Sequence, residues 1–383
     1  MHIGYIYGFE AYPPKGGNHL HAYEITKGFL NAGHQVSVVA DPSMPGVTNY
    51  SEMPQDLEKF MGSIDILYAR VDARFIRNWP LYEKCHRMAD NIPIVWEINS
   101  SADEKLAFSW LGGQVSSSGS EETVLRRIKR WLHAARLKPG IYFEERYRRS
   151  FSKNLAAAIC VSDAMGLYAQ ESLGVNRTLV IPNGGPLISA EEINERRSKK
   201  ESDDFTVLYS GSAIYPWQGI QYLKKVIELA IIDAPEIKFI LAVNQQTPNL
   251  QDSSNVTVLE KLSQDEIRNQ MCNADVCVAL PPKWPWARYG FHGSPMKLFD
   301  YMACQTAVVT SNHSQMKDIL ENGKNAILCE NNAKDILDKI VYLKENSSTR
   351  REIANNAWES VQSTFNWKSN SEKTLSLFEK LIS

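Results

Sequence analysis

The sequence predicts an α/β protein built from two doubly wound domains that face each other across a cleft. Three observations predict it. At 383 residues the chain exceeds the usual ceiling for a single hydrophobic core. Short apolar runs alternate with helical patterns twice over, which argues for two parallel sheets with helices on both faces. Between the two alternating units, residues 190–204 are densely charged (Glu191, Glu192, Glu195, Arg196, Arg197, Lys199, Lys200, Glu201) and read as a linker or a surface helix.

The first unit opens on a strand over Ile3–Tyr7. A loop with Pro13, Pro14, Gly16 and Gly17 follows, then a helix over about 19–32 whose Ala22, Ile25, Phe29 and Leu30 share a face. Gly33-His34 stops it, and Val36–Ala40 is the next strand. Further strands are expected at Ile64–Tyr68, Ile94–Glu97, Ala157–Val161 and Thr178–Ile181, the last closed by Pro182-Asn183-Gly184-Gly185. The second unit starts with a strand at Phe205–Tyr209, a glycine-bearing loop at Gly211–Gly219 and a helix at Ile220–Ala230. Strands are expected again at Lys238–Val243, Val256–Leu259, Val276–Ala279 and Ala307–Thr310. Ligands of such sheets bind at the carboxyl ends of strands, where the glycine loops at 16–17, 211–219 and 290–293 would sit.

Composition narrows the partners. A net charge of −2 gives no global pull toward nucleic acid or anionic lipid. The six cysteines are scattered without metal-ligand spacing, and Cys160 and Cys277 fall in apolar runs as buried thiols do, so a reducing cytoplasm fits. No His, Asp and Glu set forms a metal-ligand pattern. The N-terminus lacks signal-peptide regions, and no apolar run approaches a membrane span.

The chemistry concentrates in residues 288–303. Gly290 and Gly293 make a flexible loop. Ser294 suits an N-cap and Pro295 a first helical residue, so a helix should begin there. Its free N–H groups and positive dipole end would form an anion site, to which Lys297 adds a charge. Asp300, three residues on, shares a face with Lys297. A carboxylate accepts hydrogen bonds from a diol, and a lysine beside N–H groups holds a phosphate. The pair suits a ribose followed by a diphosphate. The competing reading is an ordinary capped helix with a solvated Lys/Asp pair.

Over nearly its whole length the chain resembles the retaining family-4 glycosyltransferases (glycosyl transferases group 1) of GT-B fold. The resemblance is carried by Gly16-Gly17 with the helix up to Gly33-His34-Gln35-Val36, by Ser162, and by Ile181-Pro182-Asn183-Gly184. It continues through Gly211-Ser212 to Pro216-Trp217-Gln218-Gly219, Ser294–Ala303 with Val308-Val309, and Phe365-Asn366-Trp367 before a closing helix. It implies an acceptor-side Rossmann-like domain over 1–190, a linker over 191–204, a nucleotide-sugar domain over 205–364, and a C-terminal helix, 365–383, that crosses back to the first domain. It implies a UDP- or GDP-type nucleotide-sugar donor, no cofactor or metal, and a glycan or lipid-linked acceptor. Donor contacts would come from Gly16, Gly17, Ser212, Gln218, Arg288, His292, Gly293, Ser294, Pro295, Met296 and Asp300, with the base meeting backbone around Leu259. The family's two hallmark glutamates are here His292 and Asp300. The basic pair in its second-domain loop is here Ser212 and Gln218, which leaves Lys297, the helix N-terminus and Arg288 to supply charge. Gln305 and Ala307 stand where the family usually has Gly and Pro. A non-catalytic GT-B protein that binds nucleotide or glycan as a partner subunit is therefore the alternative. The missing G-x-G-x-x-G after Tyr7 counts against a dinucleotide enzyme.

On the acceptor side, Glu97 and Asn99 end a strand and alternate with its period, so both can face the cleft. The competing reading for Glu97 is a strand-end carboxylate satisfied by backbone N–H groups. His21, in the first turn of the Gly16-Gly17 helix, falls where relatives often carry a histidine. With Lys297 these make the candidate catalytic set. Gly112–Ser120 reads as a mobile loop beside the cleft. Residues 124–153 form a basic amphipathic helix with Trp131. It is either an anionic membrane-surface element, which would place the protein on the inner face of a membrane, or a domain helix with its apolar face in the core.

Overall fold

The computed structural model describes residues 1–73, 75–107, 109, 124–198, 203–212, 215–244 and 254–383. The expected loop at Gly112–Ser120 lies outside them.

The strands are short and apolar because most are buried on both faces, as parallel strands under helices must be. In the first unit they are β1 (His2–Ile6), β2 (Gln35–Val39), β3 (Thr48–Tyr50), β4 (Ile66–Val71), β5 (Ile94–Ile98), β6 (Ala157–Cys160) and β7 (Thr178–Val180). Among the described residues they form a parallel sheet in the order β3-β2-β1-β4-β5-β6-β7. The second unit contributes β8 (Thr206–Gly211), β9 (Lys238–Val243), β10 (Val256–Glu260), β11 (Val276–Ala279), β12 (Ala307–Ser311) and β13 (Ile327–Cys329), in the order β10-β9-β8-β11-β12-β13. Both orders reverse direction once, between β1 and β4 and between β8 and β11. The crevice beyond the strand ends at such a reversal is where ligands enter doubly wound sheets.

Two apolar clusters flank each sheet. Phe60, Trp96 and Tyr168 fill one side of the first sheet, and Tyr5, Phe29 and Tyr68 the other. Leu223, Phe239 and Ile340 lie on one side of the second, and Leu298, Tyr301 and Val308 on the other. The charged stretch after residue 190 folds as a helix, Ala190–Arg197, capped by Ser189. The last helix, Trp367–Ile382, leaves the second unit and packs on the first, where Phe378 meets Phe29 and Tyr68 at 5.8 and 5.3 Å. The crossing needs glycine. A Cβ on Gly184 would lie 2.6 Å from the Asn366 carbonyl carbon, and one on Gly185 would lie 2.7 Å from the Phe299 oxygen.

Candidate active site

Two helix starts meet at the cleft. The helix Gly17–Asn31 follows the loop after β1 and has no side-chain cap. Opposite stands the helix Met296–Ala303, and a Cβ on Gly17 would be 3.3 Å from Met296 Sδ. Gly16 and Gly17 are exposed in the cleft.

The second helix starts later than expected, with Pro295 at the cap position and no side-chain cap. Ser294 is used across the cleft instead. Its Oγ accepts from the Asn183 backbone N–H at 2.9 Å, and its carbonyl accepts from Asn183 Nδ2 at 2.7 Å. A hydroxyl committed there is not turned to its own helix. Leu298 N–H turns back to the Pro295 carbonyl at 3.0 Å, and no side chain caps the turn before it.

Lys297 belongs to neither of its simple readings. Its stem is half-buried, but Nζ is shielded from solvent, lies 4.1 Å from the Tyr209 ring centroid, and has no hydrogen-bond partner among the described residues. Burial lowers its pKa to about 7. It points at the loop after β8. Gly211 has φ +140°, and a Cβ there would lie 2.8 Å from Lys297 Nζ and 3.2 Å from Gln218 Oε1, itself buried and unpartnered among the described residues. Ser212 sits beside them, its carbonyl accepting from Tyr209 Oη at 3.1 Å. Asp300 is not a solvated partner of Lys297. Burial pushes its carboxyl up to about 7, against the nearby Arg268 charge and with that of Glu24. Leu259 stands one residue before the end of β10, partly buried.

Two expected contacts look elsewhere. Arg288 is exposed and pairs with Glu171 of the first unit at 2.7 Å, so its charge leaves the Lys297 corner. The His292 imidazole is buried against Trp284, 4.8 Å between centroids, and burial lowers its pKa to about 3. It is neutral at physiological pH, and only its carbonyl reaches across, accepting from Ser162 Oγ at 2.8 Å. Gly293 packs on the Phe291 ring.

The first-unit wall is one connected network around Glu97, buried at the end of β5. Tyr5 Oη donates to Oε2 at 2.7 Å, Arg70 Nη1 and Asn99 Nδ2 each donate to Oε1 at 2.5 Å, and His21 Nε2 lies 3.0 Å from the same oxygen. Burial alone raises the Glu97 pKa. The charges of His21 and Arg70, with hydrogen bonds from His21 and Asn99, outweigh it and hold the carboxyl well below the usual carboxylate range. His21 Nδ1 meets Asn183 Oδ1 at 2.6 Å, which joins this wall to Ser294. The reading of Glu97 as a carboxylate satisfied by backbone does not hold, because the side chains of Tyr5, Arg70, Asn99 and His21 hold both of its oxygens.

Arg70 and Tyr5 were not singled out by sequence reasoning. The expected strand stopped at Tyr68, which left Arg70 outside it, whereas β4 runs to Val71 and points Arg70 at the cluster. An arginine inside an apolar strand was the available signal. Among the described residues, no group of three His, Cys, Asp or Glu could hold a metal ion.

Residues 204–346 match the family model described as Glycosyl transferases group 1. An uncharacterized glycosyltransferase of Methanocaldococcus jannaschii is 22% identical over 260 residues, and the match spans 64% of each chain. Among solved structures, sucrose-phosphate synthase from Thermosynechococcus elongatus superposes with a TM-score of 0.66 at 16% identity, covering 99% of this chain and 98% of that one. Anabaena HepE in complex with UDP and glucose superposes with a TM-score of 0.63 at 16% identity, covering 99% and 100%. The fold is GT-B, with both Rossmann-like sheets and the returning C-terminal helix.

Proposed function

We propose that the chain is a glycosyltransferase that moves a sugar, with retention of configuration, from a UDP- or GDP-type nucleotide-sugar to a hydroxyl of a glycan or lipid-linked glycan. The observation that carries the reading is Lys297. A buried ammonium with no hydrogen-bond partner among the described residues is costly unless a ligand supplies an anion. Beside it stand the uncapped helix at Met296 and the loop at Gly211 and Gln218. A diphosphate fills that corner with acceptor oxygens, and Asp300, one helical turn on, is in place for the ribose hydroxyls.

Catalysis in this reading is positioning and charge stabilisation. The acceptor hydroxyl attacks the anomeric carbon on the face from which the diphosphate departs, and the departing phosphate oxygen takes its proton. Negative charge builds on the diphosphate, where Lys297 and the Met296 helix start receive it. The His21–Glu97–Asn99 wall faces the transferred sugar and orients it. No resident cofactor is assigned, since the nucleotide-sugar is consumed as substrate.

Lys297→Ala and Asp300→Asn test the reading. Loss of one preorganised donor costs about 2.7–4 kcal/mol, so Lys297→Ala should lower turnover by roughly two to three orders of magnitude and act more on kcat than on KM. Asp300→Asn should weaken nucleotide-diphosphate binding about tenfold or more, with the fold intact. The buried, neutral His292 at a hallmark acidic position favours a second reading, a non-catalytic GT-B partner subunit. Nucleotide-sugar binding with no turnover on any acceptor or on water, in wild type as in Lys297→Ala, would select it.

A further inference from the structure

The helix Val124–Ser152 takes no part in the corner around Lys297, yet it is the longest among the described residues. Its inner side is firmly held. Arg148 is fully buried, bonds Glu144 at 2.6 Å, and donates to the carbonyls of Ser100 and Asp72 at 2.7 and 2.9 Å. Ala134 is buried on the same side. At 3.6 residues per turn, Ile128, Trp131, Leu132, Tyr142, Phe143 and Tyr147 fall on the opposite side, and each is exposed, Trp131 by 62% and Phe143 by 60%. The apolar stripe therefore points away from the core, which overturns the expectation of a domain helix with its apolar face inward.

The charges on that side have one sign. Exposed Arg127, Lys129, Arg136, Arg146, Arg149 and Lys153 flank or interrupt the stripe. The two acids of the segment turn inward, Glu144 to Arg148, and Glu145 to the Ala102 N–H and the Tyr168 hydroxyl. Beside it opens a pocket of about 720 Å³ lined by Tyr142, Arg146, Arg149, Lys153 and Arg288 and also by Asp103, Glu145 and Glu171, the last paired with Arg288. Aromatic and aliphatic side chains in line, bordered on the helix itself by exposed cations alone, match the boundary between anionic headgroups and acyl chains. A second copy of the face would meet it with like charge.

We propose that the outward face of this helix docks the protein on an anionic bilayer. Trp131 and Phe143 enter the headgroup boundary, and the arginines and lysines meet lipid phosphates. The contact is peripheral, since no helix among the described residues is long and apolar enough to cross a membrane. It stands apart from the transfer reaction, because it would hold the protein on vesicles whether or not Lys297 works on a sugar.

Vesicle sedimentation of the full chain tests it, with phosphatidylcholine alone and with phosphatidylglycerol added. The protein should sediment with the anionic vesicles only. It should be released between about 0.1 M and 1 M salt, as the screening length shrinks from about 10 to 3 Å. Changing Lys129, Arg136, Arg146 and Arg149 together to Gln should cut binding by roughly two orders of magnitude. Trp131→Ser with Phe143→Ser should cut it about tenfold. These side chains are exposed, so circular dichroism, melting and nucleotide-diphosphate affinity should stay as in wild type. Three outcomes overturn the proposal: equal sedimentation with neutral and anionic vesicles, sedimentation with neither, or wild-type binding by the double variant. A lipid-free dimer abolished by that double variant would give the face to a second copy and overturn it as well.

Discussion

At the scale of single residues, Lys297 makes the proposed site testable without an acceptor. With its pKa lowered to about 7, the free protein carries mostly neutral amine above neutrality. A diphosphate beside Nζ raises that pKa, so the complex carries the ammonium. Binding then takes up a proton, and affinity should fall by up to about tenfold per pH unit above neutrality. Calorimetry near pH 8 in two buffers of different ionisation enthalpy measures the uptake, which should vanish in Lys297→Ala. The same shift has a stability sign. Folding depresses this lysine from its ordinary 10.5, so between about 7 and that value the unfolded chain binds the extra proton. Stability of the ligand-free protein therefore gains from this group as pH rises through that window. An unchanged nucleotide affinity across it, with no proton uptake, would remove Lys297 from the diphosphate.

At the scale of elements, the loops after β8 and β1 are shaped by what approaches them. Gly211→Ala puts a Cβ 2.8 Å from Lys297 Nζ at a φ of +140° that favours glycine, so it should displace the lysine and weaken nucleotide binding about as much as Lys297→Ala does. Gly4→Ala is the control for mere destabilisation. Its Cβ would meet Ile64 Cδ1 at 2.5 Å in the core of the first sheet, so it should lower the melting temperature first. Thermal denaturation with and without nucleotide diphosphate separates the two, and equal loss of ligand shift in both variants would make the Gly211 effect structural. Such elements differ in how far the sequence announces them. Lys238–Val243 and Val276–Ala279 are read to the residue because apolar runs bounded by polar ones define strands buried on both faces. Thr48–Tyr50 is invisible, because it is short, polar and partly exposed at a sheet edge. The glycine loops and Lys297 are legible through local turn and cap chemistry. Partners across the cleft are not. Ser294 is drawn from its cap by Asn183, 111 positions away, and Arg288 is drawn to Glu171, 117 positions away. The direction of the 124–152 stripe is likewise a tertiary fact, since periodicity gives a face without saying what it faces.

At the scale of the whole molecule, the Glu97 network ties the two sheets together. Glu97 holds His21, His21 meets Asn183, and Asn183 holds Ser294 at the start of the second-unit helix. Trp367, first residue of the returning helix, packs edge-on against the same His21 at 5.3 Å. Ligand position in one sheet is thus coupled to side-chain order in the other, and Glu97→Gln probes the coupling. The substitution keeps shape and hydrogen-bonding capacity but leaves Arg70, 3% exposed, with Asp72 at 3.6 Å as its charged partner among the described residues. Breaking a buried ion pair on one side costs about 3–5 kcal/mol near neutral pH. The pH dependence identifies the charge as the cause. Folding depresses the Glu97 pKa below its ordinary 4.5, so its contribution is complete above that value and is lost as pH falls below it. The stability gap between wild type and Glu97→Gln, read from denaturant titrations, should therefore be constant above about pH 5 and narrow on acidification. Nucleotide-diphosphate affinity should stay near wild type, because Lys297 and Asp300 lie in the other sheet's corner, while turnover falls with the disordered sugar wall. A gap that persists unchanged into acid would mean that packing, not the carboxylate's charge, holds the wall together.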